Sequence, residues 1–189
     1  MSFLPGKARA AHQQGLVRLS WYWEPGEVTR RLLKEITFRG SIHDPCCGSG
    51  RIPLVAGEFG YEATGSDIVY RGFGVGGTDF FADMTPRESL IFNPPSGRNQ
   101  DPTLSTRFIL HALEVAVMVA AIVPVPMQCG QWRRDNLYRL HPPRYVLALA
   151  ERPSMPPGGT TIEAKGGTMD YCWIVWRRDY RGPTEWRAI

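Results

Sequence analysis

The spacing of apolar and polar positions divides the chain into helical and strand-like stretches. In "EPGEVTRRLLKEI", Val28, Leu32, Leu33 and Ile36 recur along one helical face. Pro25-Gly26 marks the start of that helix, Gly40 stops it, and "SIHD" (41–44) follows as a short strand. "GRIPLVAGEFG" (50–60) predicts a second helix, with Pro53 tolerated in its first turn and Gly60 ending it. "YEATGSDI" (61–68) alternates and ends on an acid, as a strand does. "RESLIFN" (87–93) predicts another strand and "TLSTRFILHALEVA" (103–116) another helix. The continuous apolar run "VMVAAIVPV" (117–125) predicts a strand buried on both faces. A short polar helix near "QWRRDNLYRL" leads to strand "RYVLALA" (144–150), and "YCWIVWRR" (171–178) closes the series. The loop "ERPSMPPGGTTIEAKGGT" between those strands, rich in Pro and Gly, is expected to be mobile or to bind a partner.

Strands alternating with helices predict an α/β fold with a mostly parallel sheet. At 189 residues the chain is long enough for one domain with a proper core. We expect an N-terminal extension over 1–20, the domain over 21–178, and a C-terminal tail over 179–189. The net charge of +4 rests almost entirely on arginine, whose planar fork suits phosphate. A polyanion partner is one reading of that charge, and a solvated basic surface is the other. Cys46, Cys47, Cys129 and Cys172 form no CxxC pair, and adjacent Cys46–Cys47 is poor metal-ligand spacing, so no metal site is expected. Reduced thiols point to a cytoplasmic protein. The start lacks the apolar core of a signal peptide, and the run near "ALEVAVMVAAIVPVPM" is too short and too broken by Glu114, Pro124 and Pro126 to span a membrane.

Two stretches carry the chemistry. In "HDPCCGSGRIPL", a strand ends at Asp44, a glycine turn (Gly48, Gly50) follows, and a helix opens at once, which lets a ligand approach backbone N–H groups. The next strand also ends in an acid, Asp67, close to the spacing at which an acid binds ribose hydroxyls in nucleotide-binding folds. The third glycine of the dinucleotide fingerprint and the lysine of a P-loop are both missing. The expected ligand is therefore a nucleoside without a pyrophosphate, a description that S-adenosylmethionine fits. The other stretch is "IFNPPSG" (91–97), where two prolines stiffen the chain as it leaves a strand behind Asn93.

"DPCCGSG", "GSDI", "GTDFF" and "NPPSG", in that order, resemble motifs I to IV of class I S-adenosylmethionine-dependent methyltransferases, above all those acting on amino groups in DNA. "WYWEPGEVTRRLLKEI", "SDIVYRGFG", "PPRYVLALAERP" and "YCWIVW" are similar to short phage- and prophage-associated adenine methyltransferases. The resemblance covers Trp21 to Trp176. It implies a class I methyltransferase (Rossmann-like) seven-stranded, mostly parallel sheet with helices on both faces and an antiparallel last strand. It implies S-adenosylmethionine as cofactor, with Asp44, Pro45, Cys46, Gly48 and Gly50 at the methionine end and Tyr22 nearby. Asp67 would bind the ribose with Ile68 against the adenine, while Asp79 would reach the adenine amine and Phe80 cover its ring. Glu24 stands within the N-terminal element that approaches the cofactor, and a carboxylate favoured by the helix dipole is an equal reading of it.

The same resemblance makes Asn93, Pro94, Pro95 and Ser96 the catalytic corner. The Asn93 amide oxygen and the Pro94 carbonyl would accept the two hydrogens of an exocyclic adenine amine and aim its lone pair at the methyl donor. Ser96 departs from the pattern, since the family has an aromatic there to stack on a flipped base. Trp21 and Trp132 are candidate rings from outside the motif, whereas Phe92, just before Asn93, points to the opposite side by strand alternation. DNA is the favoured partner, with RNA possible, held through Arg98, Arg133, Arg134 and Arg152. Rival readings are methylation of RNA or of a protein glutamine, and a non-catalytic binding module descended from a methyltransferase.

Overall fold

The computed structural model describes residues 21–96, 101–156, 158 and 167–189. The first helix, α1 (Gly26–Glu35), buries Val28, Leu32 and Leu33, three of the four apolar positions that predict it; Ile36, the fourth, is its buried C-cap. β1 (Ile42–Asp44) leads through a tight turn into α2 (Arg51–Glu58). Gly50 is the N-cap of α2 at φ 84°, left-handed backbone that favours glycine. β2 (Ala63–Gly65) is shorter than the alternation predicts. After Gly65 the chain turns away, and Ser66 pairs only as an isolated bridge to Val75. β3 (Arg87–Phe92), α3 (Leu104–Val115) and β4 (Ala116–Pro124) follow, each within a residue or so of its predicted bounds.

Beyond β4 come α4 (Gln131–Arg133), a π-helical turn over Arg134–Tyr138, β5 (Tyr145–Ala148), β6 (Tyr171–Arg177) and β7 (Glu185–Ala188). The seven strands lie in the order β2-β1-β3-β4-β6-β5-β7. All the pairs are parallel except those made by β6, which runs antiparallel to β4 and to β5. Two expectations need correction here. The antiparallel strand is the one read from "YCWIVWRR", but it is not the last in the chain. The segment expected to be a tail contributes β7, which pairs in parallel with β5 at the sheet edge.

Apolar side chains alternate across β4, and so divide the core into two layers. Met118, Ala120 and Ile122 pack with α1, α2 and Trp173, whereas Val119, Ala121 and Val123 pack with α3, Phe92 and Trp176. The strand is buried on both sides, as a continuous apolar run requires. Trp173 is fully buried, and its indole N–H donates to the Val28 carbonyl at 3.0 Å, which fastens β6 to α1. Between β1 and β3 the order of the sheet reverses: β2 was added on one side of β1 and β3 on the other. Such a switch point leaves a crevice at the carboxyl ends of the strands. Asp44 and Asn93 stand at the ends of those two strands, facing that crevice.

Candidate active site

A cleft of about 1130 Å³ opens at this edge of the sheet. Its walls include the Trp21–Glu24 segment, the Asp44–Ser49 turn, Asp67 and Ile68, Thr78–Phe81, the Asn93–Ser96 corner, and Pro153–Pro156. Thus the glycine turn and the Asn-Pro-Pro corner, 45 residues apart between Gly48 and Asn93, share one cavity. Of the expected cofactor residues, Tyr22, Asp44, Pro45, Cys46, Gly48, Asp67, Ile68, Asp79, Phe80 and Asn93 all line it. Gly50 does not. It sits one step behind the wall, with the Phe73 ring against the place a Cβ would take.

The turn is held by side chains. Asp44 Oδ1 accepts the Cys46 N–H at 3.0 Å. The Asp67 carboxylate accepts from Gly48 N–H at 2.9 Å through one oxygen and from Val69 N–H at 3.0 Å through the other. Asp67 therefore ties the glycine turn to the end of β2, and each oxygen keeps a second lone pair for a ligand hydroxyl. Gly48 takes φ 53°, and a Cβ there would come within 2.8 Å of the Trp21 ring. Trp21 and Trp23 meet edge to face at 5.7 Å, with the Arg71 and Arg51 guanidinium groups over their respective rings. The segment is pinned by Trp23 N–H to the Pro156 carbonyl and by Gly158 N–H to the Trp21 carbonyl.

Asp79 accepts the Phe81 N–H at 3.0 Å and caps a 3-10 turn. Phe80 borders the cleft but is almost wholly buried, packed on Phe108 and His111. At the corner, the Cys46 thiol donates to the Asn93 carbonyl at 3.1 Å, and Ser105 Oγ donates to the Pro95 carbonyl at 2.8 Å. These bonds brace the two prolines from β1 and from α3. Ser96 is exposed on the rim. Asn93 Nδ2 donates to Glu24 Oε2 at 3.3 Å, and Glu24 is only 7% exposed.

The charges explain what such a cleft attracts. Glu24, Asp44 and Asp67 converge on it as carboxylates. Burial, opposed by bonds to its own backbone and to Asn93 and by the Arg51 charge, pushes the Glu24 pKa up to about 7. Burial, aided by repulsion from Glu24 and Asp67, pushes Asp44 well above the usual carboxylate range. The Cys46 thiol is pushed up too, first by burial and then by Asp44, so it stays protonated as a donor. Carboxylates in this state are relieved by a ligand that brings positive charge. His43, by contrast, is buried between Thr64 and Ser66 hydroxyls at 2.8 and 3.0 Å, and burial pushes it down to about 4. It is a neutral structural residue.

The rings and arginines considered from outside the motifs fare differently. Trp21 lines the cleft. Trp132 is 45% exposed and lies outside it, while Phe92 is fully buried in the core. Arg98 lies outside the described residues. Arg133 donates to the Cys129 carbonyl, Arg134 pairs with Asp135, and Arg152 pairs with Asp170. Residues missed in the sequence include Arg51, Phe81, Ser105, Met127, Met155, Met169 and Tyr171, all of which line the cleft. The methionines come from three separate segments, so no local pattern joins them. Among the described residues no cluster of His, Cys, Asp and Glu could hold a metal ion, and no helix is long and apolar enough to cross a membrane.

Neither protein-family models nor curated proteins match the sequence. Solved structures do match it. One is a candidate RNA methyltransferase from Pyrococcus horikoshii, which aligns over 93% of this chain and 98% of its own with a TM-score of 0.66 and 16% identity. The fold is that of the class I methyltransferases. A modification subunit of a candidate type I restriction enzyme from Vibrio vulnificus covers 95% of this chain at a TM-score of 0.57 and 14% identity, and this chain spans 50% of that one. A magnesium protoporphyrin IX methyltransferase from Synechocystis, solved with bound S-adenosylmethionine, covers 95% of this chain and 86% of its own, with a TM-score of 0.52 and 15% identity.

Proposed function

We propose that the chain binds S-adenosylmethionine and transfers its methyl group to the exocyclic amine of adenine in DNA. One observation carries the reading: the Asn93-Pro94-Pro95 corner faces the same cleft as the glycine turn and its acids. The carboxylates of Asp44 and Asp67 fit a ligand bearing an ammonium and a sulfonium, and the lone pairs left on Asp67 fit ribose hydroxyls. When bound, S-adenosylmethionine supplies an electrophilic methyl group. The residues of this chain do the rest. The Asn93 amide oxygen and the Pro94 carbonyl accept the amine hydrogens, which turns the nitrogen lone pair out of conjugation and toward the donor. Pro95, held by Ser105, keeps that geometry rigid. Apolar walls from Phe81, Phe108, Met127 and Tyr171 exclude water around a planar base.

RNA is the second reading. It is favoured by the end-to-end match with the Pyrococcus protein, whose name is that of an RNA methyltransferase. A candidate RNA methyltransferase and a modification subunit of a candidate restriction enzyme stand beside a magnesium protoporphyrin IX methyltransferase among the similar folds, so the substrate is to be tested directly.

Asn93→Ala tests the corner. Removing one positioned polar group of this kind commonly costs about 2.7–4 kcal/mol of transition-state stabilisation, or two to three orders of magnitude in turnover. Cofactor affinity by calorimetry should stay nearly constant. Unchanged turnover in Asn93→Ala would reduce the corner to a turn. Ser96→Tyr should raise turnover if stacking on the base is the missing contact, and lower it if a cleft ring such as Tyr171 already occupies that space.

A further inference from the structure

We infer that Glu24 is a positioning residue for the methyl acceptor: its carboxylate fixes which end of the Asn93 side-chain amide faces the substrate. This rests on the reading of Asn93 as the acceptor of amine hydrogens and adds the residue that sets its orientation. An asparagine amide presents an oxygen at one end and an NH₂ at the other, and rotation by half a turn exchanges them. Only the oxygen end accepts hydrogens from an exocyclic amine. The NH₂ end would confront the amine with like hydrogens.

An ionised carboxylate accepts hydrogen bonds and donates none. Placed against the amide, Glu24 therefore selects the NH₂ end for itself, as the 3.3 Å contact from Nδ2 to Oε2 records. Oδ1 is left for the ligand. Glu24 is well placed to hold that choice. It is 7% exposed, immediately precedes the Pro25 cap of α1, and lines the cleft together with Asn93. Burial works against its ionised form, while bonds to its own backbone and to Asn93 and the charge of Arg51, from the first turn of α2, work for it. The alternative reading of Glu24, as an acid drawn to the N-terminus of α1, does not explain a side chain turned inward onto β3. Glu27, in the first turn of the helix, is the exposed residue placed for that role.

The chain contains Asn93, Asn99 and Asn136 as its asparagines, so the side-chain amides can be followed by nuclear magnetic resonance after selective ¹⁵N labelling of asparagine. In the full-length protein the Asn93 NH₂ pair should show slowed exchange and two well-separated protons. Glu24→Gln, whose amide can accept from Asn93 or donate to it, should weaken that signature, and Glu24→Ala should lose it. With nucleic acid and labelled cofactor, Glu24→Ala should lower kcat at least about tenfold and leave the KM for cofactor within about twofold, while Glu24→Gln falls between Glu24→Ala and the parent in rate. An unchanged Asn93 amide signature in Glu24→Ala would overturn the inference. So would a loss confined to cofactor affinity. If no nucleic acid is methylated even by the parent protein, the proposed reaction fails on that result, and the amide signature still decides the pairing.

Discussion

At the scale of single residues, the corner and the glycine turn were legible because each is a contiguous stretch whose backbone demands show in its residue types. Proline pairs stiffen and glycines permit close approach, whatever lies around them. The Glu24–Asn93 contact was not legible. It joins residues 69 positions apart, and nothing local distinguishes Glu24 from an acid drawn to a helix start. Its burial has a consequence for stability. Glu24 is held at a pKa of about 7 in the fold against an ordinary 4.5. The unfolded chain thus ionises this group first as pH rises, and the fold loses stability between about pH 4.5 and 7. Glu24→Gln lacks this loss. Its stability relative to the parent should climb across that window by on the order of 3 kcal/mol. His43, pushed down to about 4, has the opposite slope but cancels in the comparison. Denaturant titrations at a series of pH values measure the difference, and a flat difference would place Glu24 in water rather than in the cleft.

At the scale of elements, helices and strands with a strong apolar face were predicted close to their observed bounds, and the weakly patterned ones were not. β7 is an edge strand whose burial alternates only between half-buried and exposed, so it carries no apolar signature. β2 stops after Gly65 because the chain turns there toward Val75, with Asp67 N–H donating to the Val75 carbonyl. Asp67 then serves both the turn and, on the proposed reading, the ribose. Asp67→Ala should accordingly weaken binding of S-adenosylmethionine or its demethylated product at least about tenfold, since hydrogen bonds to a charged acceptor are worth about 1.5–3 kcal/mol each. Calorimetry showing equal affinity would remove Asp67 from the ligand and leave it as a fastener of the turn.

At the scale of the molecule, the α/β architecture and the position of the cleft follow from the alternation of elements, because a parallel sheet that reverses its order opens a crevice there. A nucleic-acid surface, on the proposed reading, draws on arginines that are already paired. Arg134 and Arg152 already sit in exposed pairs with Asp135 and Asp170. Exposed pairs are worth little, so phosphates can displace those carboxylates at small cost. Affinity for DNA should then fall with salt, with log K against log salt sloping by about −0.9 for each phosphate neutralised. A titration flat between low and moderate salt would favour a small or neutral substrate.

The most direct measurement is transfer of a labelled methyl group from S-adenosylmethionine to DNA, RNA and protein offered separately, followed by digestion and separation of the nucleosides. The parent protein should place label in N6-methyladenine from DNA, and Asn93→Ala should place almost none there while still binding the cofactor. Label found only in RNA or protein, or in no substrate despite bound cofactor, would contradict methylation of adenine in DNA.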